Sequence, residues 1–222
     1  MKEFKVGLIR VITLEDPELL NLHGRIIEEN FPGIKVISKC IPNQPYGIYD
    51  NKSEKEAIPK IISLAKKMVK DDINALIISC AADPGLKELR EKLNVPVIGA
   101  GSASAYLALT ISSKIGVLTI TDETPKVIRE ILKEKLIAEK SVENVKNTLD
   151  LMKKESIKHI YDAILELSNR GCKAIILGCT GFSTIRIVDR KITGSIILID
   201  PVIACGIIVS YLKRLTMREK LM

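Results

Sequence analysis

Asn74-Ala-Leu-Ile-Ile-Ser-Cys80 and Lys173-Ala-Ile-Ile-Leu-Gly-Cys179 are one pattern written twice, roughly 100 residues apart. Each has a polar residue, an alanine, three branched aliphatic residues, a small residue and a thiol. Apolar β-rich runs of this kind read as buried parallel strands. In open α/β sheets, chemistry gathers just beyond the carboxyl ends of the strands. The pattern therefore puts one cysteine at the same functional position in each of two halves. A matched pair of thiols suits a reaction that takes a proton from one face of a carbon and returns one to the other.

The rest of the chain supports two halves. Lys5 to Thr13 reads as a first strand, followed by a helix over Asp16 to Asn30 with Asp16 as N-cap and Pro17 at the first helical position. Ile34 to Ser38 is a second strand, and a turn-rich loop follows from Pro42 to Asp50. An amphipathic helix is expected over Glu54 to Lys70, a third strand over Ile73 to Ser79, a short helix over Leu86 to Lys92 and a fourth strand at Val97 to Ile98. The series then begins again. Lys114-Ile-Gly-Val-Leu-Thr-Ile-Thr121 resembles Lys5-Val-Gly-Leu-Ile-Arg-Val-Ile12. Helices at Pro125 to Lys135 and Lys154 to Asn169, then strands at Lys173 to Leu177 and Ile196 to Ile199, complete the second half. Such alternation means parallel sheets with right-handed crossovers. The expected fold class is α/β, with two pseudo-symmetric lobes. Each lobe is a mostly parallel four-stranded sheet flanked by helices, and the active site lies between them. Residues 1–100 with 205–222 form the first lobe and 101–204 the second, the last helix packing back on the first. One large doubly wound sheet is the alternative. The Lys-bearing end, 217–222, reads as a frayed terminus.

Composition narrows the function. The 222 residues are enough to bury a real core, and 46% hydrophobic with 27% charged is ordinary for a globular protein. The net charge of +7 is spread along helices, and with no tryptophan and 4% aromatics there is little on which bases could stack. Nucleic-acid binding is not expected. No run approaches the ~18 apolar residues that would cross a bilayer. The start runs directly into a strand pattern, so a cytoplasmic, membrane-free protein is expected. Five cysteines without CxxC spacing and only two histidines, His23 and His159, argue against a disulfide framework and a metal site.

Cys80 and Cys179 stand apart from Cys40, Cys172 and Cys205, which read as inert buried thiols. Ala81-Ala82-Asp83-Pro84-Gly85 follows Cys80, and Thr180-Gly181-Phe182-Ser183 follows Cys179. A small-residue turn leading into a helix offers free N–H groups and a positive dipole end, which should lower a thiol pKa toward neutrality. A thiol so tuned can act as a general base, with backbone N–H groups and hydroxyls to stabilise an enolate. Inversion needs a second group on the opposite face. One thiolate and one thiol meet that need without metal or cofactor. A redox disulfide between Cys80 and Cys179 is the competing two-cysteine reading. Arg10, closing an apolar strand, could clamp a carboxylate or serve an ion pair. Asp83 is expected to cap the helix beginning near Pro84, or else to orient a substrate amide. Gln44 and Tyr46 lie in a loop long enough to act as a lid.

Ser79-Cys80-Ala-Ala-Asp-Pro-Gly-Leu86, Val95-Pro-Val-Ile-Gly-Ala100 and Leu177-Gly-Cys-Thr-Gly181 together resemble the aspartate/glutamate/hydantoin racemase superfamily, nearest its hydantoin racemase branch. The resemblance covers nearly the whole chain. It implies cofactor-independent racemisation or epimerisation of a small molecule by Cys80 and Cys179. It also implies substrate contacts from Ala81, Ala82, Thr180 and Gly181, from Tyr46 and Gly47 in a Pro-Tyr-Gly loop, from Thr119 and Thr121, and from Arg10 at the matching strand end. A homodimer is a further family expectation. Where glutamate racemases carry Cys-Asn-Thr and Cys-Thr-His, this chain has Cys-Ala-Ala and Cys-Thr-Gly. The partners of an amino-acid ammonium are therefore missing. A hydantoin-like ring is the first choice of substrate, and aspartate or glutamate the second. Decarboxylation and cis–trans isomerisation are other superfamily reactions. A non-catalytic small-molecule-binding protein is the rival from another class.

Overall fold

A computed structural model describes residues 3–190 and 196–219. Two sheets of identical order carry the fold, β2-β1-β3-β4 and β6-β5-β7-β8, with every pairing parallel. The first comprises β1 (Phe4–Arg10), β2 (Ile34–Cys40), β3 (Ala75–Ser79) and β4 (Val97–Gly99), linked by α1 (Pro17–Asn30), α2 (Asn51–Met68) and α3 (Leu86–Lys92). Helix α4 (Ala100–Ile111) then leads to the second sheet: β5 (Ile115–Thr119), β6 (Leu136–Ser141), β7 (Ala174–Leu177) and β8 (Ile197–Ile199). Its helices are α5 (Lys126–Leu132), α6 (Ser156–Asn169), the single turn α7 (Gly181–Thr184) and α8 (Pro201–Glu219). The expected two-lobed α/β architecture is observed, and the single large sheet is not. The terminus expected to fray lies outside the described residues from 220 onward.

Local signals explain the elements. Asp16 caps α1 by accepting from the Glu18 N–H, with Pro17 at the first helical position. Asp50 and Ser53 make a reciprocal capping box that starts α2 at Asn51. The central strands β3, β5 and β7 are buried throughout, which is why their runs are unbroken. Strand β6 went unread in the sequence. It is an edge strand carrying Glu139 and Lys140, and edge strands are blunted by such charges.

Two helices tie the lobes together. Ala100 and Ala103 of α4 enter the core beside β1 and β3, while Ala105 and Ala108 enter the core beside β5 and β7. A helix rich in alanine, glycine and serine can lie against both sheets closely. Val202, Ala204, Cys205 and Val209 of α8 pack into the core beside β1 and β3. No described helix is long and apolar enough to cross a membrane.

The two crossover helices are capped by different means. Asp83 does not cap the helix beginning near Pro84: α3 starts after Gly85 with no side-chain cap. Its carboxylate accepts instead from the Gly101 and Ser102 N–H groups, at 2.7 and 2.8 Å, at the start of α4. Asp83 has φ 51°, in the left-handed region, which turns its side chain across to that helix. A Cβ on Gly99 would collide with the Asp83 carboxyl group. In the second lobe the carboxylate sits on the chain itself: Asp200 accepts from the Val202 and Ile203 N–H groups and from the Ser183 hydroxyl.

Candidate active site

The ends of β3 and β7 deliver both cysteines to one cavity of about 600 Å³ between the sheets. Arg10, Ser79, Cys80, Ala81 and Ala82 line it from the first lobe; Thr121, Gly178, Cys179 and Thr180 line it from the second. Strand register makes this placement necessary: Arg10 pairs with Ser79 across β1 and β3, so the guanidinium and the first thiol leave adjacent strands together.

Of the residues expected to meet a substrate, Arg10, Ala81, Ala82, Thr121 and Thr180 line this cavity beside the two cysteines. Tyr46, Gly47, Thr119 and Gly181 do not appear among its lining residues. Tyr46 is 55% exposed, and the loop offers Ile48 and Tyr49 to the cavity instead. Gln44 is buried and braces that loop from within, donating to the Gly47 and Ser53 carbonyls. Thr119 is buried and donates to the Thr121 carbonyl, and the Thr121 hydroxyl donates to the Glu123 carbonyl at 2.8 Å. The Gly181 N–H reaches the Cys179 sulfur at 3.3 Å. All five cysteines are free thiols.

The thiols are tuned in the opposite sense to the sequence expectation. Burial pushes Cys80 far above the ordinary thiol range. The Ala82 N–H opposes this, while the charges of Cys179, Asp83 and Glu54 reinforce it. Burial also raises Cys179, but Gly181, Thr148 and Arg10 all pull it back. The helix dipole invoked from sequence is weak here. Helix α7 is one turn long, and α3 begins only at Leu86, six residues after Cys80. Desolvation therefore dominates.

Arg10 is the other notable charge. It is 4% exposed, and its Nη1 donates to the Leu19 carbonyl at 2.6 Å. No described carboxylate pairs with it. Burial pulls the guanidinium down to about 10, with Cys179 and Cys40 opposing. A buried cation without an anionic partner is costly. Glu54, half-buried on the same cavity wall, has its carboxyl raised by burial and no described ion-pair partner.

Sequence reasoning missed Ser79, His23, Thr148 and Thr184. The Thr148 hydroxyl lies 3.8 Å from the Cys179 sulfur, and Asn147 caps the short 3-10 turn that carries it. His23 shares hydrogen bonds of 2.8 Å with the Ser79 hydroxyl and with the Thr184 hydroxyl. One signal was available: His23 falls on the inward face of α1, on one stripe with Ile26 and Ile27. Among the described residues, no three His, Cys, Asp or Glu side chains gather as a metal site.

Fold and site together define a two-lobed α/β protein with paired thiols at equivalent strand ends. The chain belongs to the Asp/Glu/Hydantoin racemase family, whose model matches residues 26–205. It is 30% identical to a hydantoin racemase of Pseudomonas sp. (strain NS671) over 159 residues, 68% of this chain and 61% of that one. It is 28% identical to a hydantoin racemase of Rhizobium meliloti over 157 residues, 68% of this chain and 65% of that one. The matched stretch thus spans a little under two thirds of either relative. The fold is shared with allantoin racemase from Klebsiella pneumoniae at TM-score 0.81 and 20% identity, covering 96% of this chain and 89% of that one.

Proposed function

We propose that this protein is a cofactor-independent racemase or epimerase. In this reading it inverts an acidic carbon in a small carbonyl compound, with a hydantoin-like ring as the first choice. Cys179 as thiolate removes the proton from one face and Cys80 as thiol supplies one to the other, the roles exchanging with substrate handedness. The single observation that carries this is that both thiols, from equivalent strand ends of the two lobes, line one cavity together with Arg10. The enolate oxygen that forms gains from backbone N–H groups and from a nearby cation. Both named hydantoin racemase relatives agree in substrate class.

A free amino acid is the second reading, and Arg10 is what favours it. A buried guanidinium with no described carboxylate partner suits a carboxylate as well as an imide oxygen. A homodimer is proposed too, supported by the exposed apolar side chains Tyr106 on α4 and Ile207 and Tyr211 on α8, two helices that pack against each other.

The test is α-proton exchange in D2O, read by NMR, with loss of optical rotation, across 5-substituted hydantoins and free amino acids. Wild type should exchange and racemise a member of the first group. Cys80→Ala and Cys179→Ala should each lose racemisation by about 10²–10⁴-fold. Binding that persists in both variants, with no exchange from any compound, would establish the binding-module rival.

A further inference from the structure

We infer that His23 is a positioning residue that sets the spacing of the two thiols by clamping the lobes together behind them. The inference rests on the racemase reading above, since two-base inversion is what demands the spacing.

His23 is fully buried in α1, a first-lobe helix, and spans the lobe junction. Nδ1 meets the hydroxyl of Ser79, the residue before Cys80, at 2.8 Å. Nε2 meets the hydroxyl of Thr184, at the end of the turn that follows Cys179, at 2.8 Å. A neutral imidazole offers one donor and one acceptor, and a hydroxyl can answer either. Both ring nitrogens are thus satisfied by hydroxyls only, one from each cysteine-bearing segment. A second strap runs beside the first: the Thr180 hydroxyl donates to the Ser79 carbonyl at 3.1 Å. The residue after one cysteine is thereby tied to the residue before the other. On the outside, Arg186 pairs with Glu29 of α1 at 2.8 Å. Among these lobe-crossing contacts, His23 alone reaches both segments through one rigid ring.

The ring is also kept uncharged. Burial holds it well below its usual value, and the Arg10 charge adds to this. A neutral, rigid strut with two fixed hydrogen bonds keeps its length, whereas the flexible thiol side chains do not set their own separation. Near-contact reactions are sensitive to that separation, and a displacement of ~1 Å costs about 10²-fold in rate.

The experiment compares wild type with His23→Gln, His23→Asn and Thr184→Val. Gln retains reach toward Thr184, Asn retains reach toward Ser79, and Val removes the far hydroxyl without touching His23. With an enantiopure 5-substituted hydantoin in D2O, exchange and inversion are measured separately. Loosened lobes let one thiol still remove a proton while the other fails to deliver across the plane. The ratio of exchange to inversion should therefore rise about tenfold or more in each variant, in samples that still melt cooperatively. A substrate-free readout runs in parallel: dibromobimane, which bridges two nearby thiols, should link Cys80 to Cys179 in wild type and link a smaller fraction in the variants, by peptide mass. An unchanged ratio and unchanged bridging in folded Thr184→Val and His23 variants would reduce His23 to a packing residue. If wild type exchanges no compound, the racemase reading fails, and the bridging result alone still decides whether His23 sets the spacing.

Discussion

The Gly181 N–H points at the Cys179 sulfur at 3.3 Å, as the Ala82 N–H serves Cys80, but Cys179 alone also gains from the Thr148 hydroxyl and the Arg10 charge. The pseudo-symmetric thiols are therefore electrostatically unequal. Cys179 has Gly181, Thr148 and Arg10 drawing its proton off, while Cys80 has Asp83 and Glu54 holding its proton on.

The first expectation is an order of reactivity. Limiting iodoacetamide should alkylate Cys179 before Cys80, by peptide mass spectrometry, because the thiolate is the nucleophile. Thr148→Val should slow that alkylation by about two- to tenfold, the scale of one neutral hydrogen bond. Equal rates at the two cysteines would remove the asymmetry.

The second concerns pH. Both thiols are raised, so the thiolate fraction grows with pH above the ordinary thiol value of about 8.5. The kcat/KM for racemisation should climb through the alkaline range. A plateau already reached near pH 7 would mean that a bound substrate, or a different base, sets the profile.

Arg10 separates binding from folding. Arg10→Met removes a buried cation that has no described carboxylate partner. Replacing buried charge by a hydrophobe of similar size is often neutral or stabilising. Tm should hold or rise, while KM increases about 10- to 100-fold through loss of charge-assisted hydrogen bonds. A fall in Tm with KM unchanged would make the arginine structural.

His23 imposes a stability dependence on pH. Its folded pKa is depressed, so the unfolded chain binds a proton below about 6.5 while the native state does not. Stability rises with pH wherever the unfolded state binds more protons. Urea unfolding should therefore show stability lost as pH falls from 7.5 to 5.5, with a slope of up to about 1.4 kcal/mol per pH unit. His23→Gln should flatten that slope. A wild-type slope that survives the substitution would assign it to other groups.

Asp83→Ala should cost about 2 kcal/mol in urea unfolding, because it strips the cap from α4 and leaves the Gly101 and Ser102 N–H groups buried without a partner. Asp83→Asn, keeping one acceptor oxygen, should cost less.

Much of this was legible in one dimension. Buried parallel strands impose unbroken aliphatic runs, and a repeated run imposes a repeated position for whatever ends it. Two thiols at two strand ends, the helix cap at Asp16 and the lobe repeat all follow from such local constraints. Edge strand β6 was illegible because its charges erase the apolar signature. Asp83 was read as a local cap because Asp-Pro usually starts a helix. Its actual partners, Gly101 and Ser102, lie 18 and 19 residues on, and a left-handed backbone turn selects them.

The sequence by itself determined the α/β class, the two lobes and the pair of cysteines, since these depend on periodicity and on residue type. Tertiary structure alone decided how those cysteines behave. Desolvation is set by neighbours from both lobes, so it raised thiols that their flanking residues suggested would be lowered. It also left Arg10 buried against the cavity and stretched His23 between Ser79 and Thr184, contacts spanning 56 and 161 residues that no local pattern encodes.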